Sequence, residues 1–311
     1  MDFTPRVSVV IPLYNKESTI GRAIASVLAQ GAAPIEIIVV DDGSTDASAA
    51  RVEAMADPHI TLVRQANAGP GAARNAGAAR ARGELLAFLD ADDEWLPGFL
   101  EAALGALDSH PQALAYACGY DTRGFTDLVV DKVSQVTDVA GPLPPPAASI
   151  GGLRLAAVLN ALHSSAAVVR RAAFETAGGF YDRERCLWGE DSFLWAQILF
   201  MGPLYWDPQA RIVYHLEDSD LGFAVKRREK ARPLALFADE IERSLPPEHR
   251  EAFRALARAT GIEDSYGMMR TGQLLRSVAL TTQLGLWNHR TLAGSALRYA
   301  AYLRERVTGG G

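Results

Sequence analysis

Three clusters in this 311-residue chain have residue types and spacing suited to chemistry. Asp90-Ala91-Asp92-Asp93 sets two carboxylates one residue apart on a turn after an apolar run. Such a pair suits a hard divalent cation, Mg2+ or Mn2+, shared with substrate phosphates. The competing reading is a solvated acidic turn that caps the helix after Trp95. Asp41-Asp42-Gly43-Ser44-Thr45-Asp46 carries the residues of a turn and helix N-cap. Two acids at the very end of a buried strand are also placed to recognise a base or ribose. Asn67–Gly77 (NAGPGAARNAG) puts Gly69-Pro70-Gly71 between a strand and a helix, as in a dinucleotide-binding turn, with Asp90 about 20 residues on. The third glycine of that fingerprint is Arg74 here, where close helix–strand packing needs a small residue. An NAD-binding oxidoreductase therefore stands as an alternative, and Arg74 reads as a cation facing phosphate or base.

These clusters need strands to hold them. Val7–Ile11, Ile35–Val40, Ile60–Arg64 and Leu85–Leu89 are short apolar runs, expected to be buried strands. Between them Ser18–Gln30, Ala47–Ala56 and Gly71–Ala81 read as helices. Alternating strands and helices with continuously apolar strands imply a mainly parallel sheet covered on both faces. Ligands bind such sheets at the carboxyl ends of the strands. Tyr14-Asn15, Asp41-Asp42 and Asp90-Ala91-Asp92 should therefore share one crevice. Further along, Gly141–Pro146 reads as a loop or linker. Ala166–Arg170 and Ala210–Tyr214 read as strands, and Arg171–Ala177 and Ser192–Phe200 as helices. From about Phe223 the chain reads as helical.

Hydrophobic residues make up 49% of the chain and charged residues 22%, which excludes a disordered chain. The MDFTPRVSVVIP start carries no signal-peptide pattern. No stretch approaches the ~18 apolar residues of a membrane span. Two cysteines make no disulfide framework, so a cytoplasmic location is expected. Residues 1–222 hold 16 basic and 28 acidic side chains, and residues 223–311 hold 15 and 9. The acidic part argues against nucleic acid as a partner. Apolar Leu274, Leu275, Val278, Leu284 and Leu286, then Leu292, Leu297, Tyr299 and Leu303, alternate with Arg270, Arg276, Arg290, Arg298, Arg304 and Arg306. That pattern reads as a packed helical subdomain or as a peripheral contact with the inner membrane face.

Val7–Asn15 (VSVVIPLYN), Asp41–Asp46 (DDGSTD), Asn67–Gly77, Phe88–Asp93 (FLDADD), Gly178-Gly179-Phe180 and Glu190-Asp191 occur in this order. Together they resemble the inverting family 2 glycosyltransferases of GT-A fold, over roughly residues 5–220. The resemblance implies a GT-A-like, Rossmann-type α/β fold with a mixed, mainly parallel sheet and helices on both faces, and the C-terminal helical extension lies outside it. With the helical pattern that starts near Phe223, the chain divides into residues 1–222, with a nucleotide-binding half to 115 and an acceptor half after it, and a helical region 223–311. It implies a nucleoside-diphosphate sugar as donor, most simply a UDP-sugar, and Mn2+ or Mg2+ as cofactor. The acceptor hydroxyl would belong to a polysaccharide, glycolipid or glycoconjugate.

By the same resemblance, Pro12, Tyr14 and Glu17 line the nucleotide pocket, and Asp41, with Asp42 beside it, accepts from the base. Arg74 lies near base and phosphates, Asp90 is the ribose- or metal-proximal acid, and Ala91 belongs to the substrate-binding set. Asp92 is the direct metal ligand, with Asp90 and His215 beside it. Gly179, in a tight turn, approaches the donor sugar. Asp191, preceded by Glu190, is the catalytic base, and Trp188 next to it offers a flat face to a sugar. A general base at Asp191 would take the proton of the attacking hydroxyl in a single inverting displacement. A non-catalytic nucleotide-sugar-binding module is the remaining alternative, against which the intact Asp90, Asp92 and Asp191 set argues.

Overall fold

The computed structural model describes residues 4–31, 35–123, 137–218 and 230–286. Strand and helix alternate through β1 (Val7–Leu13), α1 (Ile20–Leu28), β2 (Ile35–Asp41), α2 (Ser48–Ala54), β3 (Ile60–Arg64), α3 (Pro70–Ala78) and β4 (Leu85–Phe88). Next come β5 (Glu94–Trp95), α4 (Phe99–Ser109), β6 (Ala115–Asp121), β7 (Gly141–Leu143), α5 (Gly152–Ala161) and β8 (Ala167–Arg170). Then follow α6 (Arg171–Ala177), α7 (Glu190–Met201), β9 (Leu204–Val213), α8 (Pro233–Leu236), α9 (Ala238–Ser244), α10 (Arg250–Arg270) and α11 (Leu274–Gln283).

One sheet runs in the order β3-β2-β1-β4-β8-β6-β9-β5, with β7 also paired to β9. β3, β2, β1 and β4 are parallel. β8 is antiparallel between β4 and β6, and β9 runs parallel to β6. The continuous apolar character of β1 follows from burial on both faces. Val10 joins Ile38, Val40 and Phe88 in one core, and Val7, Val9 and Ile11 join Ile37 and Val39 in the other. Close approach of α3 to β1 depends on Gly77: a β-carbon there would stand 2.3 Å from Val10 Cγ1. This glycine, rather than the position of Arg74, supplies the tight helix–strand packing.

Residues 141–146 depart from the expected loop. Gly141–Leu143 pairs antiparallel with the start of β9, Pro142 opposite Tyr205. A proline is tolerated there because β7 lies at the edge of the sheet. β9 begins at Leu204, ahead of the expected Ala210, and passes Asp207-Pro208-Gln209 through a register shift against Cys118–Asp121. The turn-like DPQ sequence is thus absorbed as an irregularity within a long strand.

α7 is apolar on nearly every side, with Leu194, Trp195, Ala196, Ile198, Leu199 and Phe200 all buried. Such a helix must be covered all round. The sheet lies on one side, and the C-terminal helices cover the other. Phe200 meets Phe253 of α10 edge-to-face with centroids 5.7 Å apart. Leu234, Phe253 and Leu256 belong to the same core as Leu155 and Leu199. No described helix is long and apolar enough to cross a membrane. The boundary expected near 222, the side chain of Arg270, and Arg290, Leu292, Leu297, Arg298, Tyr299, Leu303, Arg304 and Arg306 lie outside the described residues.

Candidate active site

β1, β2 and β4 end at one side of the sheet, and a cleft of about 570 Å³ opens there. Its polar wall carries Tyr14, Lys16, Asp42, Asn67, Arg74, Asp90 and Asp92. Its lining also includes Tyr120, Leu159, Leu162, His163, Trp188 and Tyr214, together with Glu190, Asp191 and Arg232. The fold brings Pro12, Tyr14, Asp42, Arg74, Asp90, Ala91, Asp92, Trp188, Glu190 and Asp191, all singled out in the sequence, to one cleft.

Four expected residues stand outside the lining. Glu17 accepts from the Ala47 N–H at 2.8 Å, fixing the start of α2. Asp41 accepts from Ser44 N–H at 3.0 Å within its own turn. Gly179 has φ +80 and meets Asn75, whose amide bridges the N–H and C=O of Phe180. His215 is buried between Glu217, 3.0 Å from Nδ1, and Glu94, 3.3 Å from Nε2. Asp42 reaches the cleft, yet its carboxylate accepts from the N–H groups of Ala68 and Gly69 and from Gln65 Nε2, each at 2.8 Å. It fastens the turn that leads into α3.

Arg74 is the electrostatic centre. Only 4% exposed, it donates Nη2 to Asp90 at 2.5 Å and Nη1 to Glu190 at 2.9 Å, and lies over the Phe180 ring. A buried guanidinium must be paired in this way. Burial alone would raise the Asp90 carboxyl, but Arg74 outweighs it and holds Asp90 below its ordinary range. Asp92 goes the other way, raised by burial and by Asp90 against the pull of Lys16. Burial and the Asp191 charge push Glu190 up to about 7, although Arg74 opposes them. Asp93 is wholly buried. It accepts from Ser165 Oγ at 2.6 Å, and its Oδ1 has no partner among the described residues. Burial and then Asp90 drive its carboxyl well above the usual range.

Asp191 begins α7, where the unpaired helical N–H groups favour a negative charge. Gly189 in front of it is left-handed, φ +74. Of the aromatics around it, Trp195 and Phe200 are core and Phe193 packs on Tyr181, while Trp188 faces the cleft. Lys16, Asn67, Tyr120, His163, Ser165, Tyr214 and Arg232 join the site without having been singled out in the sequence. Lys16 follows directly on the VSVVIPLYN run, and Asn67 opens the glycine-rich turn, so both carried a local signal. His163 and Ser165 arrive only because β8 pairs antiparallel with β4.

The residues fit a divalent cation. Asp90, Asp93 and His163 offer ligand atoms within 4.8 Å of one another, whereas Asp92, at the cleft wall, stands outside that group with its carboxylate paired to Lys16 at 2.9 Å. His215, Glu217 and Asp218 form a second such group.

Residues 8–178 match the family described as Glycosyl transferase family 2, over more than half of the chain. The chain belongs to that family. With that membership, the oxidoreductase reading of Gly69-Pro70-Gly71 falls away. The chain is 38% identical over 145 residues to the succinoglycan biosynthesis protein ExoO of Rhizobium meliloti, a match covering 44% of this chain and 42% of that protein. It is 38% identical over 127 residues to the putative glycosyltransferase EpsH of Bacillus subtilis, covering 40% and 37%. The matched stretch thus spans less than half the length of these relatives. Among solved structures, S. aureus TarS (residues 1–349) in complex with UDP-GlcNAc superposes with a TM-score of 0.68 at 16% identity, over 98% of this chain and 92% of that one. The mannosyltransferase PcManGT from Pyrobaculum calidifontis, in complex with GDP-Man and Mn2+, gives 0.59 at 21% identity, over 100% and 89%. At such identities the likeness establishes the GT-A-like fold.

Proposed function

We propose that this family 2 enzyme transfers a sugar from a nucleoside diphosphate sugar to an acceptor hydroxyl with inversion, using Asp92 and Asp90 as metal ligands and Asp191 as general base. The observation that carries the reading is the shared cleft: Asp92 at the end of β4 and Asp191 at the start of α7 line one cavity. TarS and PcManGT, bound to UDP-GlcNAc and GDP-Man, support a nucleotide-sugar donor in a fold of this kind. The name of ExoO, succinoglycan biosynthesis, supports a polysaccharide acceptor.

Tyr14 and Pro12 at the end of β1, with Asn67 beyond β3, would bind the nucleoside. Asn67 Oδ1 is a buried acceptor with no partner among the described residues, suited to a donor N–H. A bound Mn2+ or Mg2+ would neutralise charge developing on the departing diphosphate. Arg74 acts through its partners, fixing Asp90 on the donor side and Glu190 beside the base. Asp191 takes the acceptor proton as the oxygen attacks the anomeric carbon. The hydroxyl acidifies as that bond forms, so a carboxylate can serve as base when the acceptor is held in place.

The test is a thermal-shift screen of nucleoside diphosphates and their sugars, with Mn2+ and with EDTA. Uridine is the first base to try. A true ligand at 100-fold its Kd adds about 2.7 kcal/mol of stability. Asp92→Ala should abolish the Mn2+-dependent part of that shift. No shift with any nucleotide, or a shift indifferent to both EDTA and Asp92→Ala, would overturn the reading.

A further inference from the structure

The connection between β1 and α1, with Lys16, and the first turn of α1, with Arg22, set two cations against the Asp90–Asp93 turn. The backbone of Lys16 is pinned. Its N–H donates to Ser48 Oγ at 2.8 Å, and its carbonyl accepts from Thr19 and Ile20 N–H at 3.2 and 3.0 Å. From that anchor its ammonium reaches Asp92 Oδ2 at 2.9 Å and the Asp218 carbonyl oxygen at 2.5 Å. Arg22 Nη2 donates to the Asp92 carbonyl at 2.6 Å and to Asp218 Oδ2 at 2.8 Å. The two carboxylates of the Asp90-Ala91-Asp92 pair are thus each matched to a protein cation, Asp90 to Arg74 and Asp92 to Lys16.

The two cations differ in what they can give up. Arg74 is forked between Asp90 and Glu190 in the buried floor of the site, and leaving would strand two acids. Lys16 is a compact charge on a flexible four-carbon stem. It lines the open cleft and has only 15% of its side chain exposed.

We propose that Lys16 is a displaceable counterion: it neutralises Asp92 in the empty cleft, cedes that carboxylate to a divalent cation, and then pairs with the diphosphate of the donor. This deepens the proposed function and rests on Asp92 being a metal ligand. An ammonium and a dication repel each other strongly when both lie against one carboxylate in a partly buried site. The pinned backbone keeps the released ammonium within the cleft, and a lysine ammonium binds phosphate as a point charge. Ion and diphosphate would then bind cooperatively, each helping the other to the same degree.

The test titrates Mn2+ alone into the full chain, following free Mn2+ by electron paramagnetic resonance. Lys16→Gln should bind Mn2+ roughly tenfold more tightly than the wild type, because one competing charge is gone. Lys16→Arg, which keeps the charge, should not. With Mn2+ saturating, calorimetry should show Lys16→Gln losing roughly tenfold in affinity for uridine diphosphate and little for uridine. Melting temperatures of the variants confirm that the fold is kept. Mn2+ binding abolished by Asp92→Asn but unchanged or weakened by Lys16→Gln overturns the counterion role alone. Equal tightening by Lys16→Arg overturns it too, because packing rather than charge would then be responsible. Mn2+ binding that survives Asp92→Asn overturns the metal reading of Asp92, and this proposal with it.

Discussion

The side chain of Arg232 crosses Gly189 so closely that a β-carbon on Gly189 would stand 2.5 Å from Arg232 Cγ. Arg232 cannot swing aside. Its Nε and backbone N–H donate to Asp264 at 2.8 and 2.7 Å, and its Nη2 donates to Glu263 at 2.8 Å. Helix α10 therefore braces the loop that presents Glu190 and Asp191. A left-handed backbone costs a residue with a β-carbon about 1–2 kcal/mol, and overpacking typically about 1–3 kcal/mol. Gly189→Ala is expected to lower the unfolding free energy by about 2–5 kcal/mol in urea titrations. A loss below about 0.5 kcal/mol, the scale of a neutral surface change, would mean that α10 does not brace this loop.

Asp191→Asn separates catalysis from binding. Asparagine is nearly isosteric and keeps an oxygen for the Ser192 N–H, but it takes no proton. Single-turnover transfer at saturating donor should fall by roughly 10²–10⁴, the usual contribution of a general base. Donor affinity should stay within a few-fold. Wild-type turnover by this variant would remove Asp191 from the mechanism.

Glu190 gives the protein a pH signature. Its carboxyl, ordinarily at 4.5, is pushed up to about 7 in the fold by burial and by Asp191. The folded state then holds a proton that the unfolded chain has lost, so this stabilisation is complete below about pH 4.5. It disappears as pH rises to 7. Urea midpoints measured at pH 5 and pH 7.5 should therefore fall more for the wild type than for Glu190→Gln. Parallel pH dependence in the two proteins would count against the raised carboxyl.

Asp42 and Asp41 should behave differently despite being neighbours. Asp42→Ala leaves the Ala68 and Gly69 N–H groups without their acceptor, at about 1–3 kcal/mol for each buried group. Asp41→Ala removes one contact, to Ser44 N–H. Thermal unfolding should show Asp42→Ala as the less stable variant by a clear margin. The reverse order would show that the turn before α3 is held by other contacts.

The apolar runs alone determined the strands at Val7, Ile35 and Leu85, because a strand buried on both faces must be apolar throughout, whereas Ile60–Arg64 lies at the sheet edge and is only partly buried. The order of short motifs carried the family, and the position of acids at strand ends placed Asp90 and Asp92 on one crevice. Tertiary structure decided the rest. Asp41 and Asp42 look alike in sequence, yet one carboxylate turns onto Ser44 and the other into the turn before α3. Ser165 reaches Asp93, 72 positions away, only because β8 runs antiparallel beside β4. The role of α10 was hidden for the same reason. Arg232, Glu263 and Asp264 form no local pattern, and pairing at a distance depends on how helices pack, which periodicity does not encode.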